Sequence, residues 1–141
     1  MDGFTKADKG MFKTTGVHTI KAGKIKKEVA IKALPINISE MINDELPYPD
    51  APKRFDKQSK QFIYNYEDQN WLKEKAKIDY LRTCAICVMG IDEEKSPIEG
   101  NTLLDKINTL QEMEMPLGTF VELSKAIQEL SGIKEDEFRG S

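Results

Sequence analysis

The segment EDQNWLKEKAKIDYLRTCAICVMG, residues 67–90, constrains the fold of this chain more than any other part of the sequence. Its apolar residues recur at the spacing that places them on one face of a helix. They are Trp71, Ile78, Leu81, Ala85 and Val88. Asp68 is suited to cap the first turn, and Gly90 to end the helix in a left-handed conformation. We therefore predict a long amphipathic helix over about 68–89, against which the rest of the core packs.

The two cysteines of the chain, Cys84 and Cys87, have a C-x-x-C spacing within this helix. A thioredoxin-like pair lies at the start of a helix, where the helix dipole lowers the pKa of the first thiol. Here the pair lies in the last turns, among apolar neighbours, where the dipole opposes a thiolate. A closed zinc site needs four ligands, and His18 is the one histidine of the chain. The pattern favours core packing, with no metal or other cofactor.

Two shorter amphipathic helices are predicted after the long one, over about 102–114 and 117–131. Thr102 is suited to cap the first. Gly132 is placed to end the second, with Ile133 packing back on it as in a Schellman motif. The two apolar stripes consist of Leu103, Ile107 and Leu110, and of Phe120, Leu123, Ile127 and Leu130. We predict that these helices form an antiparallel pair on the long helix.

The N-terminal half contains signals for strands and extended chain. A turn at Ala22-Gly23 and apolar alternation predict a β-hairpin over about 17–21 and 25–34. A helix over 24–33 is the competing interpretation, because Lys and Ala favour helix. Ser39 is suited to cap a short helix that follows. Three prolines, at positions 47, 49 and 52, predict an extended connector over 46–60.

These elements predict a mainly α fold, a small helical domain with a short N-terminal β-hairpin. We divide the chain into a flexible N-terminal arm, 1–16, a single domain, 17–133, and a charged tail, 134–141. No apolar run approaches the roughly 20 residues that cross a bilayer, and the chain starts without the apolar segment of a secretory signal. Two cysteines without such a signal indicate an intracellular protein with reduced thiols.

The composition and motifs do not indicate an enzyme. The sequence contains no P-loop, G-x-S-x-G, H-E-x-x-H or G-x-G-x-x-G motif. The net charge of -3 is unevenly distributed: residues 1–34 carry eight lysines and three acidic residues, whereas residues 91–141 carry twelve acidic and five basic residues. These are either two solvated faces or surfaces for oppositely charged partners, including other copies of the chain.

The stretch KRFDKQSKQFIYNY, residues 53–66, mixes cations with aromatic residues. Its members are Lys53, Arg54, Lys57 and Lys60, and Phe55, Phe62, Tyr64 and Tyr66. Proteins bind single-stranded nucleic acid in this way, with cations on phosphates and aromatic rings on bases. The alternation also suits a brief strand, or an extended segment whose rings pack on a helix. Nearby acidic residues and the acidic chain favour packing over nucleic acid as a partner.

The segment YNYEDQNWLKEKAKIDYLRTCAICVMGID resembles the central part of tail assembly chaperones from bacteriophages and prophages of Gram-positive bacteria. Upstream, EVAIKALPINISEMINDELPYPDAP is similar to the strand, short helix and Pro-rich link of that family. The resemblance covers residues 28–92. The cysteines and the basic N-terminal arm are not part of the family pattern.

The resemblance implies a chaperone without an active site or cofactor, in the cytoplasm of the bacterial host. It would coat the largely helical tape measure protein, keep it soluble, and release it as the tail tube protein polymerises around it. The resemblance is also compatible with a homo-oligomer. Two alternatives are a nucleic-acid-binding accessory protein of a mobile element and a structural head or tail component of the particle.

We expect the partner-binding residues to surround the connector, since prolines hold it extended and aromatic residues often dominate contacts with a partner. They are Leu46, Pro47, Tyr48, Pro49, Phe55 and Trp71. The competing interpretation is that Tyr48 and Trp71 seal the helical core. If Tyr48 contacts the partner, we expect Tyr48→Ala to weaken retention of a tape measure fragment and to leave the melting temperature nearly unchanged.

Overall fold

The computed structural model describes residues 3–8 and 14–133. Within these residues, a short 3-10 turn, Lys6–Asp8, precedes two β-hairpins and four α-helices. The elements are β1 (Thr15–Ala22), β2 (Ile25–Lys32), α1 (Ile38–Glu45), β3 (Lys53–Asp56), β4 (Gln61–Tyr64), α2 (Gln69–Gly90), α3 (Leu103–Glu112) and α4 (Leu117–Leu130). Residues 1–2 and 9–13 of the predicted arm and the predicted tail, 134–141, lie outside the described residues.

The prediction of a mainly α fold is wrong, because the fold is mixed α+β. Helices make up 45% and strands 20% of the described residues, and the strands form two small antiparallel sheets. Strand β3 of the second sheet lies in the predicted extended connector, 46–60, whereas β4 lies in the stretch whose alternation suits a brief strand. Phe55 and Phe62 face each other across the two strands, and such aromatic pairs stabilise a two-stranded ribbon.

The first hairpin is confirmed, and the competing helix over 24–33 is excluded. Gly23 adopts a φ of 64° in the turn, a conformation that glycine tolerates well. Val29 and Ile31 of β2 are buried. Their alternation therefore directs one face of the hairpin toward the core. Strand β1 begins at Thr15, so the last two residues of the predicted arm belong to the sheet.

Helix α2 is the centre of the core, although its two halves differ in burial. The Asp68 carboxylate accepts a hydrogen bond from the backbone N–H of Trp71 at 2.9 Å, so the predicted cap is confirmed. Residues in the first turns are exposed or half-buried. The last turns are buried at Cys84, Ala85, Ile86, Cys87 and Val88. Both α3 and α4 pack mainly on this helix.

The predicted role of Gly90 is wrong. It is the last residue of α2 and is not among the glycines with positive φ. A Cβ atom at this position would lie 2.3 Å from Cγ2 of Ile127, a buried residue of α4. Glycine is therefore required here by close helix packing.

The ends of α3 and α4 follow their local sequence signals. The Thr102 hydroxyl accepts from the N–H of Asp105 at 3.1 Å, and the Asp105 carboxylate accepts from the N–H of Thr102 at 3.3 Å. This reciprocal capping box extends the predicted cap. After α4, Gly132 has a φ of 72°, and the N–H of Ile133 donates to the carbonyl of Gln128 at 2.9 Å. The predicted Schellman motif is thus confirmed.

Helix α1 begins at Ile38, two residues earlier than a cap at Ser39 predicts. Its N-cap is Asn37, which makes no capping hydrogen bond through its side chain, so Ser39 is not the cap. Ile38 and Ile42 are buried, because their four-residue spacing places both on the face toward the core. Among the described residues, no helix is both long and apolar enough to cross a membrane.

Candidate functional site

One face of the second hairpin is an exposed row of aromatic side chains. Lys53 pairs with Tyr64, and Phe55 pairs with Phe62. Paired residues and their second neighbours share one face of a sheet. We define the aromatic surface as Phe55, Phe62, Tyr64 and Tyr66, which are 52%, 70%, 50% and 62% exposed. The prediction that these rings pack on a helix is wrong for Phe55, Phe62 and Tyr64, because the hairpin makes its main contacts between its own strands.

The rings of the aromatic surface contact one another and continue onto α2. Ring centroids are 5.5 Å apart for Phe55 and Phe62, and 6.0 Å apart for Tyr64 and Tyr66. Tyr66 then meets Trp71 edge-on at 5.5 Å. Contacts of this kind restrict the rings before a partner arrives, so less side-chain entropy is lost on binding. Exposed apolar patches on soluble proteins often mark interaction sites.

The connector after α1 is fastened along α2 by hydrogen bonds to its backbone. The indole N–H of Trp71 donates to the carbonyl of Pro49 at 2.8 Å, and Nε of Arg82 donates to the carbonyl of Leu46 at 3.0 Å. Trp71 and Pro49 are half-buried, whereas Pro47 is exposed. Leu46 is only 4% exposed and belongs to the core cluster. Its predicted role as a surface contact is therefore wrong, because it packs inward one turn after Ile42.

Tyr48 is half-buried and is held by three side chains of α2. Its hydroxyl donates a hydrogen bond to the carboxylate of Asp79. The guanidinium of Arg82 lies 3.8 Å from the ring centroid, and Nζ of Lys75 lies 5.1 Å from it. Burial, and then the hydrogen bond to Asp79, raise the pKa of Tyr48 above its ordinary value. Tyr48→Ala removes the hydrogen bond and both cation–ring interactions, so it should lower the melting temperature, contrary to the sequence-based expectation.

The six predicted contact residues thus separate into three groups. Phe55 and Pro47 are exposed, and Phe55 belongs to the aromatic surface. Tyr48, Pro49 and Trp71 are half-buried and tie the connector to α2, while Leu46 is in the core. The expectation missed Phe62, Tyr64 and Tyr66, although their alternation in the sequence was the signal that could have found them.

A cleft of about 410 Å³ lies between α2 and α4, beside Tyr48. Its polar lining includes three cations, Lys75, Arg82 and Lys125. Its apolar lining consists of Ile42, Ile86 and Val121. Gln128 also lines the cleft and is 8% exposed; its Nε2 donates to the Ser124 hydroxyl at 2.7 Å. Its Oε1 has no hydrogen-bond partner within the described part of the chain.

The two cysteines are fully buried and unpaired, and they belong to the core as predicted. The Cys87 thiol donates to the carbonyl of Phe120 at 3.2 Å. Burial raises the pKa of Cys84 from its ordinary value of 9.0 to about 11, and it raises the pKa of Cys87 further. Both thiols are therefore neutral near pH 7. Across residues 3–8 and 14–133, no group of three or more His, Cys, Asp or Glu residues is placed to hold a metal ion.

We expect the buried thiols to make the fold sensitive to alkali. Their pKa values are higher in the folded than in the unfolded chain, so the folded state binds more protons once unfolded thiols ionise. The stability is full below about pH 9 and falls as the pH rises toward 11. Each thiol contributes a slope of at most about 1.4 kcal/mol per pH unit. Urea unfolding at several alkaline pH values measures this slope.

The matched control is the double variant Cys84→Ala and Cys87→Ala. It starts from a lower stability, because two buried sulfur atoms are removed, but its loss of stability with pH should be shallower. The remaining slope includes Tyr48 and Tyr80, whose pKa values burial also raises. Equal slopes for the parent and the double variant would contradict the assignment to the thiols.

Comparisons with protein-family models, with curated protein sequences and with solved structures gave no match.

Proposed function

We propose that this protein is a non-catalytic binding protein whose aromatic surface covers an apolar segment of a client chain. Because residues 28–92 resemble phage tail assembly chaperones, we propose that role for the protein, with the tape measure protein as its client. The observation that carries the proposal is the exposure of Phe55, Phe62, Tyr64 and Tyr66, each by at least half. In this proposal the protein acts in the host cytoplasm, before the tail tube protein polymerises around the client.

The chemistry of the aromatic surface suits this task. Aromatic side chains bury a large apolar area with few rotatable bonds, and they frequently dominate the binding energy of protein interfaces. A long helical client exposes apolar side chains that would otherwise associate with one another. Covering them with aromatic rings removes that apolar area from water. The hairpin presents its rings away from the core, so a client reaches them without any rearrangement of α2 or α4.

The test is retention of a tape measure fragment that is co-expressed with the protein. The double variant Phe62→Ala and Tyr64→Ala should lose at least about tenfold in affinity, since a single interface hot spot can exceed that loss. The melting temperature of the helical core should change little, because both side chains are largely outside the core and the hairpin makes its main contacts between its own strands. Isothermal titration with the purified fragment gives the affinity, and circular dichroism gives the melting temperature.

The matched control is Leu104→Ala with Leu117→Ala. Both leucines are exposed, and they lie on α3 and α4, away from the hairpin. This control should bind the fragment as the parent does. If the aromatic variant also binds as the parent does, the aromatic surface is not the client site and the proposed function loses its support.

A second candidate function is binding of single-stranded nucleic acid, which one contact favours. Nζ of Lys53 lies 5.4 Å from the ring centroid of Tyr64, so a cation and an exposed ring share one face. Phosphate contacts release counterions, so binding of this kind weakens steeply with salt. Salt-sensitive retention on single-stranded DNA, lost in Tyr64→Ala, would support this candidate over the chaperone. Finding the protein in purified phage particles would instead support a structural component.

A further inference from the structure

We infer that the cleft between α2 and α4 binds an acidic peptide segment of a partner chain. The inference rests on the proposed function and deepens it, because it names the chemistry of the client segment. The aromatic surface supplies apolar contact without selecting for charge. The cleft adds a place where carboxylates on the client are recognised.

Cationic side chains outnumber carboxylates among the residues that line the cleft. Asp79 is the one acidic residue among the lining residues, and its carboxylate already accepts from Tyr48 and, at 3.4 Å, from Lys75. Arg82 and Lys125 have no carboxylate partner among residues 3–8 and 14–133. Two cations are therefore available in a protein whose net charge is -3. Carboxylates on a client are the complementary groups.

The geometry of the cleft suits a peptide side chain with neighbouring carboxylates. Its volume of about 410 Å³ lies within the range of ligand pockets in proteins. Ile42 and Ile86 give it an apolar lining, and the cations flank this lining from α2 and α4. An amphipathic client helix could thus place an apolar side chain between acidic ones. Helices commonly bind in grooves of this kind.

Arg82 is fixed before any ligand binds. Its Nε donates to the carbonyl of Leu46, and its guanidinium covers the ring of Tyr48 at 3.8 Å from the ring centroid. A fixed guanidinium loses little side-chain entropy when a carboxylate pairs with its terminal nitrogens. The Tyr48 ring, the one aromatic ring among the described residues that line the cleft, is already covered by this cation. It is poorly placed to stack on a base, which favours a peptide over a nucleic acid.

A peptide matches the lining better than a small organic acid does. Ile42, Ile86 and Val121 offer an apolar surface that a side chain of a peptide can cover. A simple carboxylate such as citrate brings no apolar group to this surface.

The experiment uses the full chain and a short fluorescein-labelled helical peptide of Leu, Ala and Glu. Fluorescence anisotropy should show binding that weakens as salt rises, because the contacts are ionic. Lys125→Glu should weaken this binding about tenfold, since it removes one attraction and adds a repulsion. The side chain of Lys125 is exposed, so this variant should keep the parent melting temperature.

Two controls isolate the cleft. Lys77→Glu makes the same change of charge on α2, at an exposed position outside the cleft, and should bind the peptide as the parent does. A peptide with Gln in place of Glu should bind the parent at least about tenfold more weakly, because its carboxylates are gone. Both results together would assign the effect to carboxylates at Lys125.

Four outcomes would overturn the inference. These are equal binding of the Glu and Gln peptides, equal loss in Lys125→Glu and Lys77→Glu, binding of citrate without binding of the peptide, and retention of a single-stranded oligonucleotide that Lys125→Glu abolishes. The proposed function fails separately. If Phe62→Ala with Tyr64→Ala loses the tape measure fragment while Lys125→Glu does not weaken peptide binding, only the inference about the cleft fails.

Discussion

Replacing Phe120 with alanine should lower the free energy of unfolding by about 3–5 kcal/mol, the usual range for a filled aromatic core site. Phe120 is the largest of the fully buried side chains. Its ring meets Tyr80 edge-on, with centroids 5.9 Å apart, and so joins α4 to α2. Its backbone carbonyl accepts the Cys87 thiol. Truncation leaves a cavity at the centre of the helix packing, which the two helices can close only in part.

Urea unfolding followed by circular dichroism measures this loss. The control is Leu117→Ala, a truncation three residues earlier in the same helix, at an exposed side chain. It should change the free energy of unfolding by less than about 0.5 kcal/mol, as most surface substitutions do. A loss below about 1 kcal/mol for Phe120→Ala would mean that the core collapses around the missing ring.

Gly90→Ala should destabilise the fold by about 1–3 kcal/mol, although alanine is the better helix former. The added Cβ would lie 2.3, 2.5 and 2.8 Å from Cγ2, Cδ1 and Cγ1 of Ile127. Ile127 is fully buried, so its side chain has little room to move aside. The two helices must therefore separate, which loosens the packing along the whole α2–α4 interface.

Gly118→Ala is the matched control for this prediction. Gly118 lies in α4, and a Cβ there would meet nothing within 4 Å. Gly118 is the second residue of the helix, where propensity counts less than in the interior, so the same substitution should stabilise the fold by up to about 0.5 kcal/mol. We expect the stability to change in opposite directions in the two variants, and thermal unfolding of both measures these changes. Equal effects would show that α2 and α4 do not pack as closely as described.

Much of the fold was predictable because its signals are local. A cap or a helix end needs only a few neighbouring residues, as at Asp68, Thr102 and Gly132. The stripe of α4 also followed from spacing alone, because helical periodicity directs one face toward any core that exists. The burial of the cysteines followed from their apolar neighbours. These features do not depend on what other part of the chain lies opposite.

The fold class and the candidate site were less predictable, since both depend on distant parts of the chain. The alternation of aromatic and other residues in 61–66 indicated a strand with two different faces. It did not indicate whether another part of the chain covers the aromatic face. Leu46 and Tyr48 are adjacent in sequence to an exposed proline, yet their burial depends on how the connector lies along α2. Arg82 and Lys125 line the same cleft from two different helices, and their positions in the sequence do not indicate that they lie close together.

The sequence by itself thus determined the caps at Asp68 and Thr102 and the end of α4 at Gly132, which helix faces are apolar, and that the cysteines are packed. Only the tertiary structure decided that 53–64 forms a hairpin with its rings exposed, and that Gly90 is needed for contact with Ile127. The physical reason is the range of the interactions. Hydrogen bonds in caps and turns join near neighbours, whereas exposure and close packing depend on which distant side chains fill the space around a residue.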